Sequence, residues 1–281
     1  MTPGPNLLEP GSVPPADLVI ARLALHDAAQ ASAAAAHALL PTAPDHSHSN
    51  LLWSSEHHAF RGRALPAGNR CALEPLTLQT VVLGPGGEAR GFASAVGHTF
   101  EQVLGKLARV LRRAGESVPP QGLSAPGYEL PDTPVRRGEP FAQPSRDHLQ
   151  ELARWFGLGH AALERVSRRR LGGSEVRIWP HHFDMAALRT LDEDVDPEEA
   201  RSVGVGFSPG DGSYAEPYLY VSPWPAPPAD ALPELPAGRW HTQGFTSAVL
   251  TAGQIVGPDA AGRVDAFLEQ AVSLALELLE R

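Results

Sequence analysis

The amino-acid sequence predicts an α+β protein of two related helix-strand-strand-strand-helix halves, with antiparallel sheets and helices packed on one face. Three observations lead there. The order of elements is the same before and after a proline-rich stretch at 116–144, both halves close on an amphipathic helix, and strand-like segments lie between the helices.

Residues 1–16 lack periodicity and read as a flexible tail ahead of the first half, 17–115. Asp17 can cap a helix running to Leu40, on which Leu18, Ala21, Leu25, Ala28, Ser32 and Ala36 form a small-residue stripe. Pro41 and Pro44 end it. An extended stretch at Leu51–Trp53 precedes a hairpin, Leu76–Leu83 and Glu88–Val96, turned by Gly84-Pro85-Gly86-Gly87. Thr99 and Gln102 fit a capping box, and Val103, Leu104, Leu107 and Leu111 share one face of a helix that stops at Gly115. The stretch 116–144 is then a linker.

In the second half, 145–281, Ser145 can cap a helix carrying Leu149, Leu152, Phe156, Leu163 and Val166, with an interruption suggested at Gly157 or Gly159. Strand-like segments follow at Glu175–Met185, Ser202–Phe207 and Tyr214–Ser222. An insertion, 223–256, separates them from a last helix with Val264, Phe267, Leu268, Ala271 and Ala275 on one face.

Hydrophobic residues make up 42% of the 281 and charged residues 20%, which is globular usage and not that of a disordered chain. A net charge of -9 argues against nucleic acid as a partner. No apolar run is long enough to span a membrane. Cys71 is the single cysteine, and Met1–Pro5 has neither a basic nor an apolar leader pattern, so a cytoplasmic location is expected.

The densest polar segment is Trp179-Pro180-His181-His182-Phe183-Asp184. In a strand, alternation puts His182 and Asp184 on one face, where a carboxylate can orient an imidazole for proton transfer or both can bind a metal. These two are the candidate catalytic residues. His48, Asp211 and His241 join them as candidate ligands of a divalent metal, although no H-E-x-x-H or C-x-x-C spacing supports one. A structural hydrogen bond between the pair is an equally weighted alternative. Gly206-Phe207-Ser208-Pro209-Gly210 matches G-x-S-x-G, but it leads into another strand and not a helix, so a turn is favoured over a nucleophile.

The segments Trp179–Asp184, Gly206–Asp211 and Glu216–Val221 resemble an uncharacterised bacterial family with W-P-E-H-F-D, S-P-G-D and E-P-Y-x-Y-V. More distantly they are similar to a bacterial domain-of-unknown-function family with F-W-G-S-F-D, G-F-W-P-G and Y-x-Y-x-x-P. The first half matches more loosely, at Asp45–Trp53 and His98-Thr99. The distant family has tryptophan where Ser208 stands, which argues against a shared serine nucleophile. The resemblance implies no activity.

Two functions follow as expectations. One is a small-molecule-binding protein or enzyme with a His/Asp site between the halves. The other is a non-catalytic interaction or oligomerisation module, for which a homo-oligomer is one expected assembly, with WPHHFD and SPGD fixing strand ends and turns.

Overall fold

The computed structural model describes residues 9–196 and 199–280. Of the expected tail, residues 1–8 lie outside the described residues. The protein is α+β with two antiparallel sheets. No helix among the described residues is long and apolar enough to cross a membrane. The chain divides into two compact units, the first formed by Leu18–Ala153 with Ile178–Phe183 and the second by the remainder.

The first unit is built on α1 (Val19–Leu39). Alanine favours helix and leaves no long side chain, so Ala28, Ala29, Ala31 and Ala33 to Ala36 are all buried by closely packed neighbours. The expected cap is not used. Asp17 lies inside a 3₁₀ turn, Pro15–Leu18, which makes Leu18 the residue before the helix, with no side-chain cap.

Five strands follow: β1 (Leu52–Ser54), β2 (Ala59–Arg61), β3 (Arg70–Glu74), β4 (Gln79–Leu83) and β5 (Ala89–Ser94). They pair in sequence order as an antiparallel meander. The β4–β5 hairpin stands where the glycine-rich turn predicts it, with Gly87 at φ +85° supplying the left-handed backbone. Helix α2 (Phe100–Arg113) has both bonds of the Thr99/Gln102 capping box, and Gly115 follows its end at φ +92°. Helices α1 and α2 pack on one face of the sheet, over Phe60, Cys71, Leu73, Val82 and Ala93.

The stretch 116–144 has no helix but is pinned in place. Tyr128 Oη donates to Gln30 Oε1 at 2.6 Å, Thr133 Oγ1 donates to Asp27 Oδ2 at 2.7 Å, and Phe141 bridges Val96. Buried Glu116 accepts from Asn69 Nδ2 at 2.7 Å and from the Ala67 amide at 3.2 Å. Burial, with Glu116 nearby, pushes the Cys71 thiol up to about 12, so that cysteine stays a thiol.

Helix α3 (Arg146–Arg170) runs unbroken through Gly157 and Gly159, contrary to expectation. Gly159 serves contact rather than a break, since a Cβ there would lie 2.7 Å from the Phe207 ring. The second sheet has six strands: β6 (Arg177–Trp179), β7 (Asp184–Thr190), β8 (Ser202–Ser208), β9 (Tyr218–Trp224), β10 (Arg239–His241) and β11 (Ser247–Thr251). Their order is β10-β11-β9-β8-β7-β6. A short α4 (Ala252–Ile255) and the long α5 (Ala260–Leu279) close the unit. Alternation along β8 and β9 buries Val203, Val205, Phe207, Leu219 and Val221, and α5 packs on these strands.

The expected count of three strands per half is too low. β1, β2, β6 and β10 are three residues long, too short to show a period of two. The expected strand Glu175–Met185 is also two strands, interrupted at 180–183 by a turn in which the Phe183 N–H donates to Trp179 O at 2.7 Å.

Candidate functional site

That turn decides the fate of the five sequence candidates. Phe183 has φ +60°, a left-handed conformation that an aromatic residue rarely adopts, so strand alternation between His182 and Asp184 is lost. The shared strand face read from spacing for His182 and Asp184 is therefore corrected. His182 occupies the turn in the first unit and Asp184 opens β7 in the second. His48 falls with His182, whereas Asp211 and His241 fall with Asp184.

In the second unit, three tyrosines link the acidic and histidine candidates. Ala186, Gly206 and Tyr220 are cross-strand neighbours on β7, β8 and β9. Because a Cβ on Gly206 would overlap the Tyr220 ring, glycine lets that ring cross β8, and its hydroxyl donates to Asp184 Oδ2 at 2.5 Å. Tyr218 donates to Asp211 Oδ2 at 2.7 Å, while Asp211 Oδ1 accepts the amides of Ser213 at 2.7 Å and Tyr214 at 2.9 Å. His241 Nε2 donates to Gln243 O at 2.7 Å, which leaves Nδ1 to accept from Tyr214 Oη at 2.9 Å. Burial, then the neighbouring carboxylates, raise both Tyr218 and Tyr220, so the phenols remain neutral donors. Ser208 ends β8 at a hairpin into β9, is 2% exposed, and accepts the Gly210 amide at 3.1 Å. Its setting is a turn between strands, as the sequence context suggests.

The first unit gathers a different set. Buried His26 Nε2 and Gln30 Nε2 both donate to Pro180 O at 2.8 Å, and His26 stacks on Phe183 with ring centres 5.1 Å apart. These contacts from α1 hold the turn. Around it, ring centres of His181 lie 4.3 Å from His182, 5.6 Å from Tyr128 and 6.1 Å from His46. His46 and His182 are exposed, while His181 and Tyr128 are half-buried.

Hydrogen bonding fixes the tautomers of the two histidines behind this group. The Ala43 amide donates to His48 Nδ1 at 3.1 Å, so His48 Nε2 carries the proton and donates to His37 Nδ1 at 3.0 Å. His37 must then carry its proton on Nε2. That atom is buried with no hydrogen-bond partner among the described residues. Burial holds His37, His48 and His181 below the ordinary imidazole value, with neighbouring histidines adding to it, and His181 falls to about 4. His37, His48 and His181 are thus held toward their neutral forms.

Among the described residues no three His, Cys, Asp or Glu side chains are placed to hold a metal ion. Of the proposed set, His48 and His182 stand in the first unit and Asp184, Asp211 and His241 in the second. His37, His46, His181 and Tyr128 were not legible as members of one group, since nothing local in an alanine-rich helix marks His37. Comparisons with protein-family models, with curated proteins and with solved structures find no match to this chain.

Proposed function

We propose that the chain is a small-molecule-binding protein whose ligand sits on the histidine cluster of the first unit. The observation that supports this is the end of the imidazole relay, where the His37 Nε2 proton has no protein acceptor. Buried donors are nearly always paired, and an acceptor on a ligand would pair this one. The surrounding rings of His46, Tyr128, His181 and His182 offer aromatic faces and edges. The ligand class is therefore a planar aromatic or heteroaromatic molecule with a hydrogen-bond acceptor. Neutral His181 would also accept a proton from a ligand that carries a labile one. The kinship with the uncharacterised bacterial family belongs to this proposal, because W-P-x-H-F-D is the segment that forms the turn.

The test is a melting screen with small heteroaromatic compounds. At a hundredfold excess over Kd a ligand stabilises by about 2.7 kcal/mol, a rise of about 5–10 °C for a domain of this size. His182→Ala, on an exposed residue, and His37→Phe, which removes the orphan donor, should each abolish the shift while melting as the wild type does without ligand. A screen without hits, or shifts that survive both substitutions, contradicts the proposal.

A further inference from the structure

The open face of the first sheet carries donors that the histidine cluster does not use. On the side away from α1 and α2, the registers pair Leu52 with Arg61 and Arg61 with Ala72. The Gly62 amide bonds Cys71 O at 2.7 Å, so the β2–β3 register continues and sets Arg63 opposite Arg70. The β1–β2 register, continued likewise, sets Asn50 opposite Arg63, and Arg63 Nε donates to Asn50 Oδ1 at 2.6 Å. Three arginines thus occupy opposed and diagonal positions, where like charges repel. Burial, then Arg61 and Arg63, hold the Arg70 guanidinium below its usual value.

Two of these groups lack acceptors. Arg61 makes no hydrogen bond or ion pair among the described residues, and its Nε is buried. Asn50 is 0% exposed, and with Oδ1 taken by Arg63 its Nδ2 is a buried donor without a partner among the described residues. Arg70 donates to Gly62 O at 3.2 Å and forms no ion pair among the described residues.

We infer that Asn50, Arg61 and Arg70 bind the phosphate group of a small phosphorylated ligand. Asn50 Nδ2 and Arg61 Nε are buried donors without an acceptor among the described residues, an oxyanion supplies acceptors, and guanidinium forks match phosphate oxygens. A net charge of -9 favours a small ligand over a nucleic-acid backbone. The inference stands independently of the histidine cluster.

Inorganic phosphate, a phosphate monoester of glycerol, and acetate are titrated calorimetrically into the full chain at constant ionic strength. Phosphate and the monoester should bind saturably, and Arg61→Gln and Arg70→Gln should each weaken both by about ten-fold. Asn50→Asp should do the same, whereas Arg90→Gln on the same sheet face and His182→Ala should change nothing. The half-exposed arginines keep the test decisive if Asn50→Asp does not fold. Absence of saturable binding, binding that survives Arg61→Gln with Arg70→Gln, exclusion of the monoester, or acetate binding as tightly as phosphate would each overturn the assignment.

Discussion

Replacing Gly206 by alanine is expected to destabilise the protein by about 3–5 kcal/mol, out of proportion to one added methyl group. The new Cβ would occupy the path of the Tyr220 ring across β8. Tyr220 would have to leave, and the Asp184 carboxylate would lose the hydroxyl it accepts at 2.5 Å. Overpacking alone costs about 1–3 kcal/mol and a hydrogen bond to a charged group is worth about 1.5–3 kcal/mol. Tyr220→Phe separates the two, since it removes the hydroxyl and keeps the ring, and should cost only the second amount. Urea unfolding of the two variants checks this. A smaller loss for Gly206→Ala than for Tyr220→Phe would mean that Gly206 has no role in seating Tyr220.

Acidification from pH 6.5 to 4 is expected to destabilise the fold. Burial of His26 lowers it from 6.5 to about 4, so the stability tied to its neutral form is present above 6.5 and lost as pH falls to 4, a loss of about 3 kcal/mol. His181, lowered to about 4, and His37 and His48, lowered as well, act in the same direction. Asp27 opposes them. Its burial raises it from 3.8 to about 6, so its contribution is full below 3.8 and is lost as pH rises through 6. The histidines outnumber it, which sets the net sign. His26→Gln, which keeps a donor for Pro180 O, should flatten the acid limb of stability against pH, and Asp27→Asn should steepen it. The reverse pair of changes would show that these groups are not buried as described.

What the sequence made legible was local. The Thr99/Gln102 capping box and the Gly84–Gly87 hairpin are written in adjacent residues, and both stand where they were expected. Tyr218 and Tyr220 share a strand face by alternation, and their ring centres lie 6.1 Å apart. The pairing of His182 with Asp184 failed because one residue, Phe183, takes a left-handed conformation that its type does not advertise. The force that holds it there comes from His26 and Gln30, some 150 residues away in the chain. His37 was invisible for the same reason, since its importance lies wholly in the tautomer that His48 imposes on it. The Arg61-x-Arg63 alternation did carry a signal of a shared basic face, but a three-residue β2 left no period by which to read it.

Whether the histidine cluster is a binding surface is tested most directly by ¹H–¹⁵N spectra of the histidine rings. With the strongest heteroaromatic compound of the melting screen added stepwise, the ring nitrogens of His37, His181 and His182 should shift saturably, with His37 Nε2 moving most. The rings of His57 and His148, which lie outside the cluster, should stay in place. A saturable response centred on His57 or His148, or none at His37 and His181 while the compound demonstrably binds, would contradict the assignment.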